Sequence, residues 1–336
     1  MNPDNNRQQQ LADSGKAAQL AQQKLRQFIN LPAQTLDGHS VKLLSNIGQL
    51  NQLDQIEQLG IDGIGLLRTE LLFMGLKQAP TEEQQYQMYK QTVEAVTPKV
   101  VTIRTLDVGA DKQLDYIHLD KQENPALGER GVRYSLHNPE QFMVQLRAIL
   151  RASTLGCIRV MFPMINQVEE LIDILDLLAQ SKKQLKQQQL DYGKIELGIV
   201  VETPAAIINL PSMLPYLDFI SIGSNDLSQY TLAVDRTNPV LSQQFSAFSP
   251  AIIQSIATVI NLAKQQQISV SLCGELASDP RIAPILIGLG LDELSINIGT
   301  FLPVKAAICS GQYNHFTQQA AACLKSTKIS QLAQYL

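Results

Sequence analysis

Arginines, paired acids, an amide and a thiol each stand just after a short apolar run in this sequence, and together they could share one chemistry. The densest stretch is Asp218–Arg236, DFISIGSNDLSQYTLAVDR. Phe219, Ile220 and Ile222, with small Ser221 and Gly223 between and after them, read as a buried strand that breaks at once into Ser224-Asn225-Asp226. A carboxylate such as Asp226 suits a hard cation, Mg2+ in particular. Asn225 can donate to an anion beside it, and Arg236 can return a fixed positive charge to the same rim. The plain alternative for this stretch alone is a polar loop with a capping aspartate.

Similar groups close the other apolar runs. Arg68-Thr69-Glu70 follow one, Arg104, Asp107 and Asp111-Lys112 another, and Glu202 a third. Cys273-Gly274-Glu275 follow a fourth, and Ser45-Asn46, Pro163-Met164 and Asn297 stand at the remaining ends. Each alone is weak; their conjunction carries the weight. Glu202 and Asp226 are the minimum protein contribution to a Mg2+ that keeps waters and substrate oxygens. Arg68, Arg104, Arg133 and Arg236 suit a bidentate grip on phosphate and carboxylate. Two carboxylates against four guanidiniums leave a positive surplus, so the expected ligand is a small anion carrying both phosphate and carboxylate. Cys273, near several cations, is expected to have a stabilised thiolate and to pass a proton to or from carbon. Cys157 and Cys309 read as small packing residues.

These groups need elements to carry them. Eight apolar runs recur, near Val41–Leu44, Gly63–Leu67, Val100–Ile103, Ile158–Phe162, Leu197–Val201, Phe219–Ile222, Ile268–Leu272 and Leu291–Ile296. They are continuous, as parallel strands covered on both faces require. Helical patterns lie between them, with start signals at Thr81…Gln84 and at Asn138-Pro139, Thr203-Pro204, Ser249-Pro250 and Asp279-Pro280. Val168, Leu171, Ile172, Leu175 and Leu178 form one helical stripe, and Ile252, Ile253, Ile256, Val259 and Ile260 another. Eight strands alternating with helices over about 270 residues predict an α/β fold, a (β/α)8 TIM barrel, with an open doubly wound sheet as the alternative. Residues 1–30, rich in Gln, Ala and Lys, predict a linker helix, and 31–336 the barrel. The segments after Asp107 and Tyr230 exceed plain crossovers, so insertions are expected there.

Composition narrows the class. The 336 residues are 45% apolar and 17% charged, with a net charge of 27 − 31 = −4, which argues against nucleic acid as a partner. No apolar run approaches the ~18 residues of a membrane span, and MNPDNNRQQQ lacks the apolar core of a signal peptide. The four cysteines have no zinc-ligand spacing. Free thiols and a cytoplasmic location are the expectation.

GIGLLRTELLFM, IRTLDVGADK, NPALGERGVR, MFPMI, VVETPAA, SIGSNDLSQYTLAVDR, SLCGELASD and GLGLDELSI resemble, in this order, the C-terminal barrel of enzyme I of the bacterial sugar phosphotransferase system. That family is the phosphoenolpyruvate-protein phosphotransferases; pyruvate phosphate dikinase and phosphoenolpyruvate synthase resemble the chain more distantly. The resemblance implies a phosphoenolpyruvate/pyruvate-binding TIM barrel with Mg2+ as cofactor. It makes Arg68, Arg104 and Arg133 the grip on the phosphoryl group, Asn225 a further phosphate contact, and Arg236 a substrate holder. Glu202 and Asp226 become the Mg2+ ligands, Cys273 the thiol that protonates enolpyruvate, and Lys112 a lysine at the same rim. Ala110, Glu129, Ser224 and Ser278 depart from the family pattern, and none is a charged or metal position there. None of the four histidines, His39, His118, His137 and His315, has a phosphohistidine context. The chain is therefore expected to be the C-terminal half of a longer homodimeric enzyme, whose phosphohistidine domain and phosphocarrier partner lie elsewhere. A barrel kept only for dimerisation or ligand sensing, and a Mg2+-dependent lyase, are the alternatives.

Overall fold

The computed structural model describes residues 23–109, 114, 116–117 and 122–336. Lys112, Ala110, His118 and residues 1–22 of the expected linker helix lie outside them. Eight strands form: β1 Lys42–Ile47, β2 Gly63–Arg68, β3 Val100–Arg104, β4 Ile158–Phe162, β5 Ile195–Val201, β6 Phe219–Ile222, β7 Ser269–Leu272 and β8 Glu293–Asn297. Each pairs in parallel with the next, and β8 returns to β1 through Lys42↔Glu293 to Asn46↔Asn297. That last pairing makes the sheet a closed (β/α)8 barrel and removes the open-sheet alternative.

The continuous apolar runs are explained by burial on two sides. Leu66, Met161, Val200, Phe219 and Cys273 fill the barrel interior. Ile64, Leu67, Ile103, Val160 and Ile220 face the helices instead. The helix Pro250–Gln265 buries the expected stripe Ile252, Ile253, Ile256, Val259 and Ile260. The helix Val168–Gln187 buries Leu171, Ile174, Leu178 and Leu185, while Ile172 is 40% exposed. The stripe there is rotated by part of a turn from the expected one.

Helices begin at four of the five start signals, at Glu82, Pro139, Pro204 and Pro250. Thr81 and Gln84 form a reciprocal capping box, and Thr203 Oγ1 accepts from Ala206 N. Asn138 and Ser249 occupy N-cap positions without a side-chain cap. Asp279 instead accepts from Arg281, and the next helix starts only at Ala283. Cys157 is exposed and Cys309 half-buried, so neither is a core-packing residue.

The amino-terminal end of the barrel is closed by charge. Arg159 on β4 donates to Glu196 on β5 and Glu293 on β8, each at 2.8 Å, and Lys42 on β1 lies 3.3 Å from Glu293. The Arg159 guanidinium also lies over the Phe219 ring. Among the described residues no helix is long and apolar enough to cross a membrane.

Candidate active site

The carboxyl-terminal end of the same barrel is open. A cavity of about 650 Å³ there is lined by Arg68, Arg104, Glu202, Asn225, Asp226, Arg236 and Cys273, all expected from sequence, and also by Glu70, Gly274 and Glu275. All but Arg236 arrive because a strand ends there; Arg236 follows the helix after β6. Arg68 closes β2 and Arg104 closes β3, and the two are direct partners in the ladder. Glu202 follows β5, Asn225 and Asp226 lie in the first turn of the helix Ser224–Leu232 after β6, and Cys273 follows β7.

Arg133 is not among them. Its guanidinium donates to the carbonyls of Leu127 and Gly128, at 2.9 and 3.0 Å, in the loop before it. Arg130, three residues earlier, lines a neighbouring cavity and reaches the acids of this site instead. It is 1% exposed and donates to Asp226 Oδ1 at 3.0 Å, to Tyr230 at 3.1 Å and to Asp107 at 3.4 Å. The helix Val132–His137 begins after Gly131, whose φ of +58° turns the chain. Arg130 therefore precedes the helix and reaches inward, whereas Arg133 rides on its first turn and bends back to the loop. The sequence signal was available: of the two arginines in NPALGERGVR, only the first sits on the entry side of that glycine.

The expected surplus of positive charge also fails. Arg104 bridges two buried acids, Glu70 through Nη2 and Asp107 through Nη1 at 3.1 Å. Among the described residues, Glu70, Asp107, Glu202 and Asp226 against Arg68, Arg104, Arg130 and Arg236, none of them exposed, give 4 − 4 = 0, and exposed Glu275 at the rim adds one more acid. Sequence reasoning had both extra acids in view at strand ends but not their burial against the arginines.

Balance is not uniform within the cluster. Glu202 is 1% exposed, and its Oε1 accepts from Met164 N at 2.7 Å. Met164 holds a left-handed backbone, φ 61°, that places this N–H. Burial first, and then the negative charges of Asp226 and Asp107, push the Glu202 carboxyl up to about 8, although Arg130 and Arg104 pull the other way. Gly223 leaves room for it, since a Cβ there would lie 2.8 Å from Glu202 Oε2. Arg104 Nε, Arg130 Nε and Ser224 Oγ are buried without a hydrogen-bond partner among the described residues. Such a cluster has polar capacity left over for a ligand.

Cys273 is 7% exposed, with its Sγ toward Ile222 O at 3.7 Å. Burial raises its thiol above the ordinary range, outweighing the hydroxyl of Ser221 and the cations Arg104 and Arg68. The expected stabilised thiolate is thus replaced by a thiol that keeps its proton. Among the described residues no three His, Cys, Asp or Glu side chains gather as a metal cage. Two carboxylates remain the protein's share, which suits an ion that retains other oxygen ligands.

A parallel barrel whose open end joins guanidiniums, two acids, an amide and a thiol has the groups to hold a small anion. The chain belongs to the family of the PEP-utilising enzymes' PEP-binding domain, whose sequence pattern matches residues 22–313. It is 41% identical over 315 residues to phosphoenolpyruvate-protein phosphotransferase of Buchnera aphidicola subsp. Schizaphis graminum, covering 94% of this chain and 55% of that one. It is 40% identical to the protein of that name from Haemophilus influenzae (95% and 56%) and 42% identical to that of Bacillus subtilis (90% and 52%). The chain thus spans about half the length of these relatives. A solved citrate lyase from Burkholderia xenovorans LB400 aligns at 17% identity and a TM-score of 0.48, over 90% of this chain and 86% of that one, too distant to bear on function.

Proposed function

We propose that this chain binds phosphoenolpyruvate with Mg2+ and, within a longer phosphotransferase, releases its phosphoryl group to a histidine of another domain. Arg68, Arg104 and Arg130 grip the phosphoryl oxygens, Asn225 donates to them, and Arg236 holds the substrate's other end. The ester P–O bond breaks as a P–N bond to the histidine forms, and the electron pair stays on the enolpyruvate oxygen. Cys273 gives its proton to the methylene carbon, which yields pyruvate, and the sulfur is reprotonated from solvent. Burial of Cys273 favours this direction, because a thiol that keeps its proton is an acid rather than a nucleophile.

Mg2+, held by Glu202 and Asp226, would neutralise charge developing on the substrate oxygens. The donor set fits it: the negative charge of Asp226 helps push the Glu202 carboxyl up, and a cation beside the two would offset that. In a cluster that sums to zero, a divalent cation also supplies the charge that attracts a trianion.

The observation that carries this reading is the meeting of seven expected side chains in one cavity, six of them from five strand ends and Arg236 from beyond the helix after β6. The free cysteines fit a reducing cytoplasm; sugar uptake, a phosphocarrier partner and a homodimer are what the family resemblance implies. Titration calorimetry of this chain tests it. Phosphoenolpyruvate should bind at millimolar concentration or below with Mg2+ present and far more weakly with chelator. Heat of binding absent under both conditions would end the proposal.

A further inference from the structure

Asn225 sits in the first turn of the helix after β6 and Cys273 in the loop after β7, yet the two segments are fastened together. The backbone N–H of Glu275 donates to Asn225 Oδ1 at 2.8 Å, and Asn225 Nδ2 donates to Glu275 Oε1 at 3.2 Å. The assignment is fixed by chemistry: a backbone N–H can only donate and a carboxylate only accept. Gly274, between Cys273 and Glu275, presses on the other segment. A Cβ there would lie 1.9 Å from Ser224 Oγ and 2.8 Å from Ser224 N. Asn225 and Glu275 both line the cavity, and Glu275 is exposed at its rim.

We propose that Glu275 is a positioning residue for Asn225. Its two bonds hold the amide oxygen away from the mouth and engage one Nδ2 hydrogen. The second Nδ2 hydrogen is left to donate to a phosphoryl oxygen. Because Glu275 lies two residues beyond Cys273, the same pair ties the proton donor's loop to the phosphate-side helix. The inference rests on the phosphoenolpyruvate reading for its ligand, but the amide lock itself does not need a ligand.

The test is Glu275→Ala and Glu275→Gln in this chain, each alone and with Asn225→Ala. Loss of one side-chain hydrogen bond should weaken phosphoenolpyruvate binding with Mg2+ about fivefold in Glu275→Ala. Glu275→Gln keeps an acceptor and should stay within about twofold of the parent. Pyruvate and Mg2+ binding should be unchanged. In the Asn225→Ala background Glu275→Ala should add nothing, since the contact it serves is gone. An equal loss in both backgrounds, or none in either, would overturn the inference. A ligand-free readout separates its failure from that of the functional reading. The two Asn225 side-chain amide protons should give distinct NMR signals in the parent that move toward solvent-exposed values in Glu275→Ala. Unmoved signals would refute the lock even where phosphoenolpyruvate binds, and absent binding would sink the functional reading while leaving the lock to the NMR result.

Discussion

The two ends of the barrel both hold buried charge, and they treat it differently. At the amino-terminal end Arg159, Lys42, Glu196 and Glu293 pair off, with Glu293 meeting two cations and Arg159 two acids. At the other end the signs also balance, but the groups are poorly satisfied. Glu202 is driven toward protonation, two guanidinium Nε atoms and a serine hydroxyl lack partners among the described residues, and a positive-φ methionine is held in place. Equal charge counts therefore do not mean equal purpose. The first end is a plug that stabilises the closed sheet; the second keeps unsatisfied capacity where a ligand can use it.

The sharpest way to break this contrast is at Glu202. Glu202→Gln removes the buried charge that its neighbours resist. Phosphoenolpyruvate binding with Mg2+ should fall roughly 100-fold, about 2.7 kcal/mol, while the ligand-free chain melts at a higher temperature than the parent at pH 8. Calorimetry and a melting scan read the two effects, and a variant that lost stability together with affinity would make Glu202 a structural acid like Glu293.

Arg130 against Arg133 comes next. Arg130→Met should weaken the same binding by about 30-fold or more, since a buried charge-assisted contact is worth ~2 kcal/mol. Arg133→Met should change it by less than about threefold, because that guanidinium serves two loop carbonyls. Reversed sensitivities would restore Arg133 to the site.

Arg159→Met tests the plug. The change leaves Lys42, at 3.3 Å, as the cation beside buried Glu293 and removes the partner of Glu196, a cost of about 1.5 kcal/mol in folding stability read by denaturant unfolding. Affinity for phosphoenolpyruvate should stay the same. A comparable loss of affinity would mean that the two ends are not separable.

Most of the barrel was legible before any coordinates because continuous apolar runs between proline-started helices leave few other folds. Val100–Ile103 and Phe219–Ile222 could hardly be anything but buried strands. Strand ends then gave six of the seven expected cavity residues directly. What was hidden depended on direction rather than identity. The Arg133 placement required knowing that the helix starts at Val132, and element boundaries are the least readable feature of a sequence. The missed acids Glu70 and Asp107 look in the sequence like ordinary rim groups; only their burial against Arg104 and Arg130 turns an apparent surplus into balance. The Cys273 thiol shows the same limit: neighbouring cations can be listed from sequence, but the burial that outweighs them cannot.

Asp37 gives the smallest expected effect, and it bounds the comparison from outside, since it lies at neither end's charge cluster. Its Oδ1 accepts from Thr35 Oγ1 at 2.6 Å and from Tyr313 N at 2.7 Å, and its Oδ2 from Asn314 N at 3.1 Å. It thereby caps the helix Tyr313–Lys325 from a distant turn, where His39 also stacks on Tyr313. The Thr35 hydroxyl and then the Tyr313 N–H lower its carboxyl from 3.8 to about 2. A carboxyl lowered by folding stabilises the fold above its unfolded value and loses that contribution as pH falls through the folded one. Asp37→Asn should therefore melt slightly below the parent at pH 5, and the gap should close between about pH 4 and pH 2. Ligand affinity should not move. A gap that persisted unchanged to pH 2 would show that the carboxylate's charge is not what fastens this helix to the barrel.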